Sequence, residues 1–264
     1  MRPGPADELP GEHRSGVGAT PRELAVQVVV VVSAALLYFG VRGFTEGSEE
    51  IAVRNAERLL RIENGLGLAN EDSLQALILD HRWLVTFFNW IYIWGHWPVI
   101  IAVLAWLFVR HRVQYRLLFR SMLISGAIGL IVFALYPVSP PRLMPDGEFV
   151  DTVTELSRSY RVLQPPALVN KYAALPSLHV GWNLLVGITV FRASRAVWLR
   201  VFAIVSPLLM MAAVVLTGNH YVVDGFVGSA VAALGLLGAM RLARRDREHS
   251  DTLPVSGPTL EAPL

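Results

Sequence analysis

Residues 117–136 read LLFRSMLISGAIGLIVFALY, a stretch whose only charge, Arg120, lies near its start. A helix needs roughly 20 apolar residues to cross the ~30 Å hydrocarbon core of a bilayer, and inside lipid its backbone groups must bond within the segment itself. This stretch meets both demands. Five others repeat the pattern: Leu24 to Val41, the aromatic-rich Trp83 to Val109 with Pro98 inside it, the short Leu178 to Phe191, Val197 to Leu216 with Pro207, and His220 to Met240, whose Gly228 and Ala232 suit close helix packing. The expectation is an all-α integral membrane protein, a bundle of six transmembrane helices. A cleaved signal peptide is the other reading of Leu24 to Val41. It lacks a small-x-small cleavage site, with Tyr38-Phe39 where small residues would stand.

Composition agrees with the spans. The 264 residues are 53% hydrophobic and 17% charged, against about 25% charged in soluble domains, and mean hydropathy is +0.47. Cysteine is absent, which excludes disulfides, thiolate metal sites and cysteine nucleophiles. Net charge is +2 and nearly all the cation is arginine, with Lys171 the single lysine. The arginines are spread along the chain without interleaved aromatics, so nucleic acid is not an expected partner. The bias toward arginine points to a bacterial source.

Short connections rich in arginine mark the cytoplasmic side. Arg110, Arg112, Arg116 and Arg120 fall between the second and third spans, Arg192, Arg195 and Arg200 between the fourth and fifth, and Arg241, Arg244, Arg245 and Arg247 after the sixth. Both termini are then inside. The connections Gly43 to Arg82, Pro137 to Ser177 and Thr217 to Asn219 lie outside, at a plasma membrane. Domain limits follow: a disordered tail over 1–22, the membrane domain over 23–245, and a second disordered tail over 246–264. In the first outer connection, Ser48 with Glu49 and Glu50 starts a helix that Gly65 and Gly67 end. Ile51, Leu59 and Ile62 fall near one face, which predicts an extracytoplasmic amphipathic helix lying in the membrane interface. A second short helix opens at Asn70.

Three clusters carry chemistry, and the predicted topology sets all three at the outer face. In Pro140-Pro141-Arg142 the prolines hold an extended chain and present a guanidinium whose fork suits a phosphate, or which rests on lipid headgroups. In Ala174-Leu175-Pro176-Ser177-Leu178-His179, Pro176 fits a first helical turn, the free amides attract an anion, Ser177 adds a hydroxyl and His179 can move a proton. A capped helix with an interfacial histidine is the plainer reading. In His220-Tyr221-Val222-Val223-Asp224, residues four apart share a helix face, so Asp224 can accept from the His220 ring and aim the other nitrogen as base or nucleophile. A carboxylate within a span is costly unless used. Together these are the parts of a phosphoryl-transfer site that uses no metal.

The clusters PPR, PSLH and HYVVD resemble the type-2 phosphatidic acid phosphatase superfamily, and more closely its inositol-phosphotransferase branch, typified by fungal inositol phosphorylceramide synthase. The resemblance runs from about Asn89 to Gly228, with Leu178 where the general pattern has glycine. It implies a six-helix bundle and a phosphohistidine intermediate with no metal and no cofactor. His220 would be the nucleophile, Asp224 its orienter and His179 the general acid, while Arg142 and Ser177 would bind phosphate. Two phosphate-binding cations of the general pattern are missing, at Leu135 and Val214. Arg158, Arg161 and Lys171 are the candidate replacements, with Lys171 taken forward, although a solvated loop accounts for at least two of them.

The expected function is a membrane phosphotransferase moving a phosphoinositol-type headgroup between a lipid phosphate and an alcohol. The alternative is a phosphatase acting on a lipid phosphate or polyprenyl (pyro)phosphate with water as acceptor. A metal-dependent alcohol phosphotransferase needs an acidic cluster. After Asp224-Gly225 the chain from Phe226 to Met240 has no acid, which excludes it. A transporter or scaffold would place ionisable groups near mid-membrane and show repeats, neither of which is seen. Asn89, Tyr92 and His96 recur along one face of the second span, toward the headgroup pocket or as core residues. Trp83, Trp90, Trp94 and Trp97 read as interface and packing residues.

Overall fold

The apolar stretches become helices, and one of the six breaks in two. The structure, a computed structural model, describes residues 20–44, 47–145, 149–156 and 170–252. Arg158, Arg161 and most of both tails lie outside those residues. Among them run α1 (Pro21–Phe44), α2 (Glu49–Leu66), α3 (Glu71–Leu79), α4 (Arg82–Trp94), α5 (Trp97–Arg110), α6 (Arg112–Leu135), α7 (Thr152–Leu156), α8 (Leu178–Ala193), α9 (Val197–Leu216) and α10 (Val222–Thr252). A 3-10 turn covers Pro141–Leu143, and Val138 and Ala173 form an isolated parallel bridge.

Among the described residues four helices are long and apolar enough to cross a membrane: Pro21–Val41, Arg112–Leu135, Val197–Leu216 and Val222–His249. The number is five if α4 and α5 count as one span bent by 45°. The expected continuous helix from Trp83 to Val109 thus ends at Trp94. Pro98 has no N–H to give and its ring crowds the carbonyl four residues back, so the chain turns at Gly95-His96 and restarts with Pro98 in the first turn of α5. The turn frees the His96 side chain from a helical register.

The sixth predicted stretch, α8, has 16 residues and reaches only about 24 Å at 1.5 Å per residue. It is the centre of the bundle, covered by α5, α6, α9 and α10. Leu178, Val180, Trp182, Leu185, Val186 and Val190 are buried on all its sides, and Trp182 donates to Ser125 Oγ on α6 at 3.1 Å. Small residues let α10 come close, as expected from the sequence. A Cβ on Gly181 would meet the Gly228 carbonyl and the Ala232 side chain, and one on Gly228 would strike the Ser177 backbone. Gly228→Ala must therefore push α10 off the start of α8. It is expected to cost about 1–3 kcal/mol, read as a lower thermal unfolding temperature, whereas Gly40→Ala, with open space around it, should leave that temperature in place.

The helix α2 starts and stops where its residues direct. The Ser48 hydroxyl accepts from the Ile51 amide, and Gly67 closes the C-terminus at φ 68°. The three residues expected on its apolar face divide, with Leu59 packed on protein and the other two at the surface. Ile51 and Ile62 are exposed, and the buried face is Ala52, Asn55, Ala56, Leu59 and Glu63. That face docks on protein: the Ser139 amide donates to the Ala52 carbonyl at 3.1 Å, and Asn55 donates to the Pro137 carbonyl at 2.9 Å. Small side chains at 52 and 56 permit the close approach. The helix α3 opens after Asn70 as expected.

The arginine-rich connections gather at one end of the bundle, where Arg116, Arg120, Arg192, Arg244 and Arg247 line one cleft. Residues 137–142 leave the other end of α6. The three connections expected outside therefore share the end opposite the arginines.

Candidate active site

At that end Arg142, Lys171, His179 and His220 line a single pocket. Arg142, His220 and His179 are positioned by different local devices.

Arg142 sits in the 3-10 turn after Pro140-Pro141, and its amide donates to the Gly218 carbonyl at 3.0 Å. Gly218 holds φ 68°, a left-handed conformation that glycine adopts without cost, and this turns the chain back after α9. The guanidinium is aimed from two sides. Its Nε donates to Asn219 Oδ1 at 2.9 Å and one terminal nitrogen to Asp151 Oδ2 at 3.1 Å. Asn219 is itself anchored, donating to Thr217 Oγ1 at 2.8 Å. The fork thus keeps donors for a ligand while its direction is set.

His220 is not on a helix. The sixth stretch was expected to be helical from His220, but α10 begins at Val222, and His220 lies in the bend before it. The i, i+4 alignment with Asp224 is accordingly loose, with Nδ1 3.4 Å from Asp224 Oδ2. The nearer partner of Nδ1 is the Ala174 carbonyl at 2.7 Å. A carbonyl only accepts, so Nδ1 carries the hydrogen and Nε2 is left with its lone pair. The orientation expected from Asp224 alone is shared with a backbone carbonyl 46 residues away. Asp224 Oδ2 accepts instead from the Tyr221 amide at 2.9 Å, and the Asp224 carbonyl accepts from the Ser177 amide at 2.9 Å. These bonds tie the start of α10 to the start of α8.

His179 lies in the first turn of α8. Pro176, although it fits a first helical turn, stays outside the helix. The helix begins at Leu178 with Ser177 as its cap residue, in an extended conformation (φ −74°, ψ 96°), because the Ser177 amide is committed to Asp224. The His179 ring stacks on Tyr92 with centroids 4.6 Å apart, lies 4.2 Å from the His96 ring, and is 5.9 Å from the His220 ring. The first amides of α8 have no intrahelical acceptor and carry the positive end of its dipole, and Leu178 and His179 put that end against the pocket. Ser177 and Asp224 are fully buried and do not line it. Ser177 Oγ lacks a hydrogen-bond partner.

Several residues join the site that sequence reasoning left aside or read differently. Tyr92 and His96 reach the pocket wall, whereas Asn89, on the same face, is taken up by Thr152 through bonds of 2.8 and 3.0 Å. Asn183 donates to His96 Nδ1 at 3.2 Å and to the His179 carbonyl at 2.9 Å, while its Oδ1 accepts from Ser206. His96 Nδ1 is therefore an acceptor. Trp97, read as a packing residue, lines the pocket with Tyr38 from α1, while Trp83 and Trp90 stay exposed. Asn219 had a signal, being the polar neighbour of the histidine motif. Asp151 had none.

The arrangement offers a cationic fork, a lysine, a helix start and the Nε2 of an anchored imidazole around one small volume, with a second imidazole ring 5.9 Å away. A profile of the PAP2 superfamily matches residues 57–238. No curated protein sequence matches the chain. A crystal structure of Aquifex aeolicus LpxE superposes with a TM-score of 0.49 at 16% identity, over 64% of this chain and 93% of that one.

Proposed function

We propose, from the premise that this chain belongs to the PAP2 superfamily and is an enzyme of the phosphatase type, that it hydrolyses a lipid-borne phosphate at the pocket of Arg142, His179 and His220. The observation that carries the reading is the shared pocket: two histidine rings 5.9 Å apart beside one oriented guanidinium.

In the proposed reaction, His220 Nε2 attacks phosphorus, and the bond from phosphorus to the lipid oxygen breaks. His179 gives its proton to that oxygen, so the lipid leaves as an alcohol. Water then attacks the phosphohistidine, His179 takes a proton from it, and inorganic phosphate departs as His220 is released. Arg142, Lys171 and the first amides of α8 hold the equatorial oxygens, whose charge grows in the transition state. Ser177 and Asp224 act from behind the pocket wall, joining α8 to α10. Water is the acceptor that the superfamily match supports. That match does not extend to the inositol-transferring branch, for which Leu178 is the one residue in favour.

The proposed topology has six spans: α1, the bent pair α4 and α5, α6, α8, α9 and α10. Arginine-rich connections face the cytoplasm of a bacterial cell and the pocket opens outside. Its support is the separation of arginines and pocket to opposite ends of the bundle.

The test is incubation of the purified protein with a panel of lipid phosphates, with and without inositol and with and without chelator. Release of inorganic phosphate in water alone, unaffected by chelator, is expected. Product formed only when inositol is present would move the chain to the transferase branch, and turnover of no lipid phosphate would overturn the reading.

A further inference from the structure

Behind the pocket, three consecutive amides at the start of α10 end on three different carboxylates. The Tyr221 amide donates to Asp224 at 2.9 Å, the Val222 amide to Glu71 at 3.0 Å, and the Val223 amide to Glu63 at 2.7 Å. Glu63 comes from α2 and Glu71 from α3, each some 150–160 residues away in sequence. All three acids are at most 2% exposed, and among the described residues no lysine or arginine pairs with any of them. A helix start favours negative charge, yet three buried carboxylates in one turn exceed what a half-charge dipole offsets.

We propose that Glu63 and Glu71 are positioning residues for the reaction: they hold the first turn of α10, and a proton kept on Glu63 sets where His220 and Asp224 stand. The inference rests on the phosphatase reading above, since it acts through His220. Glu63 supports it: it is fully buried, its Oε2 accepts from no N–H or O–H donor, and the Glu71 carboxyl lies within hydrogen-bond reach, so a proton between the two replaces a repulsion by a bond. The groups facing Glu63 are Glu71 from α3 and Asp224 and Tyr221 from the start of α10. Burial, opposed by the Val223 N–H and reinforced by Glu71 and Asp224, pushes its carboxyl from 4.5 up to about 8. The folded chain therefore holds a proton that the unfolded chain releases. The stability it lends is complete below pH 4.5 and is lost as pH rises through about 8. Above that pH a third negative charge beside Glu71 and Asp224 drives the α2–α3 hairpin off the helix start, and His220 loses its alignment.

Glu63→Gln keeps an acceptor for the Val223 amide and cannot ionise. Glu63→Leu removes the acceptor. The full-length protein in detergent, given a lipid phosphate it hydrolyses, is measured for kcat and KM from pH 6 to 9.5. General acid and base steps carry a pH dependence of their own, so the quantity read is the ratio of E63Q to wild-type kcat. It is expected near one at pH 6.5 and to rise by about threefold or more by pH 9. E63L is expected to lose about tenfold in kcat at pH 6.5 with KM within about twofold, and thermal unfolding at that pH checks its fold. A ratio flat across pH overturns the proposal whatever E63L does. A wild-type protein that hydrolyses no lipid phosphate overturns the functional reading, which separates the two failures.

Discussion

Replacing His220 with glutamine is expected to lower phosphate release from a lipid phosphate by about 10⁴-fold or more, the scale seen when a covalent nucleophile is removed. Glutamine can still donate to the Ala174 carbonyl, so the bend before α10 keeps its anchor, and the unfolding temperature should stay near that of the wild type. What it lacks is a nitrogen lone pair to attack phosphorus. The check is twofold. Rapid mixing with lipid carrying labelled phosphate should leave acid-labile, alkali-stable label on wild-type protein and none on H220Q. Steady-state release should fall as stated. Wild-type turnover by H220Q would refute the covalent mechanism.

His179→Gln is expected to cost about 10²–10⁴-fold with a lipid substrate, the usual range for a positioned general acid. The loss should depend on the leaving group. An alkyl alcohol leaves poorly without a proton, whereas a nitrophenolate hardly needs one, so with nitrophenyl phosphate the first step should be much less impaired. His179 also serves as the base for the attacking water, so the phosphoenzyme should then accumulate in H179Q. An equal loss for both substrates, with no accumulation, would leave His179 a packing residue between Tyr92 and His96, the other role that its ring contacts allow.

The places where expectation and structure part share a character. A break in the second span was not expected, although Pro98 was visible. A proline can kink a helix or end it, and Gly95 with packing against α8 decided for the break. The fourth stretch starts at Leu178 without the extra turn that Pro176 would allow, and the helix start at His220 slid to Val222. In both cases an amide or ring nitrogen found a partner on another segment, Asp224 for Ser177 and Ala174 for His220. The face of α2 that docks on protein was not foreseen: Leu59 joins it, while Ile51 and Ile62 stay exposed. Contact with the loop at Pro137 to Ser139 selects small residues instead.

From residues alone came the membrane character, the positions of the apolar stretches, the end of the molecule where the arginines gather, and the identity of Arg142, His179 and His220 as residues that meet. Bilayer thickness is a one-dimensional constraint and so is written in runs of apolar residues, and polar, titratable clusters at the ends of those runs stand out in an apolar chain. Only the tertiary structure decided which carbonyl holds the His220 tautomer, that Asn219 and Asp151 aim the guanidinium, that His96 joins the pocket wall, and that Glu63 and Glu71 grip the start of α10. Those are hydrogen bonds and contacts between segments up to 160 residues apart, and their geometry exists only once the helices have packed.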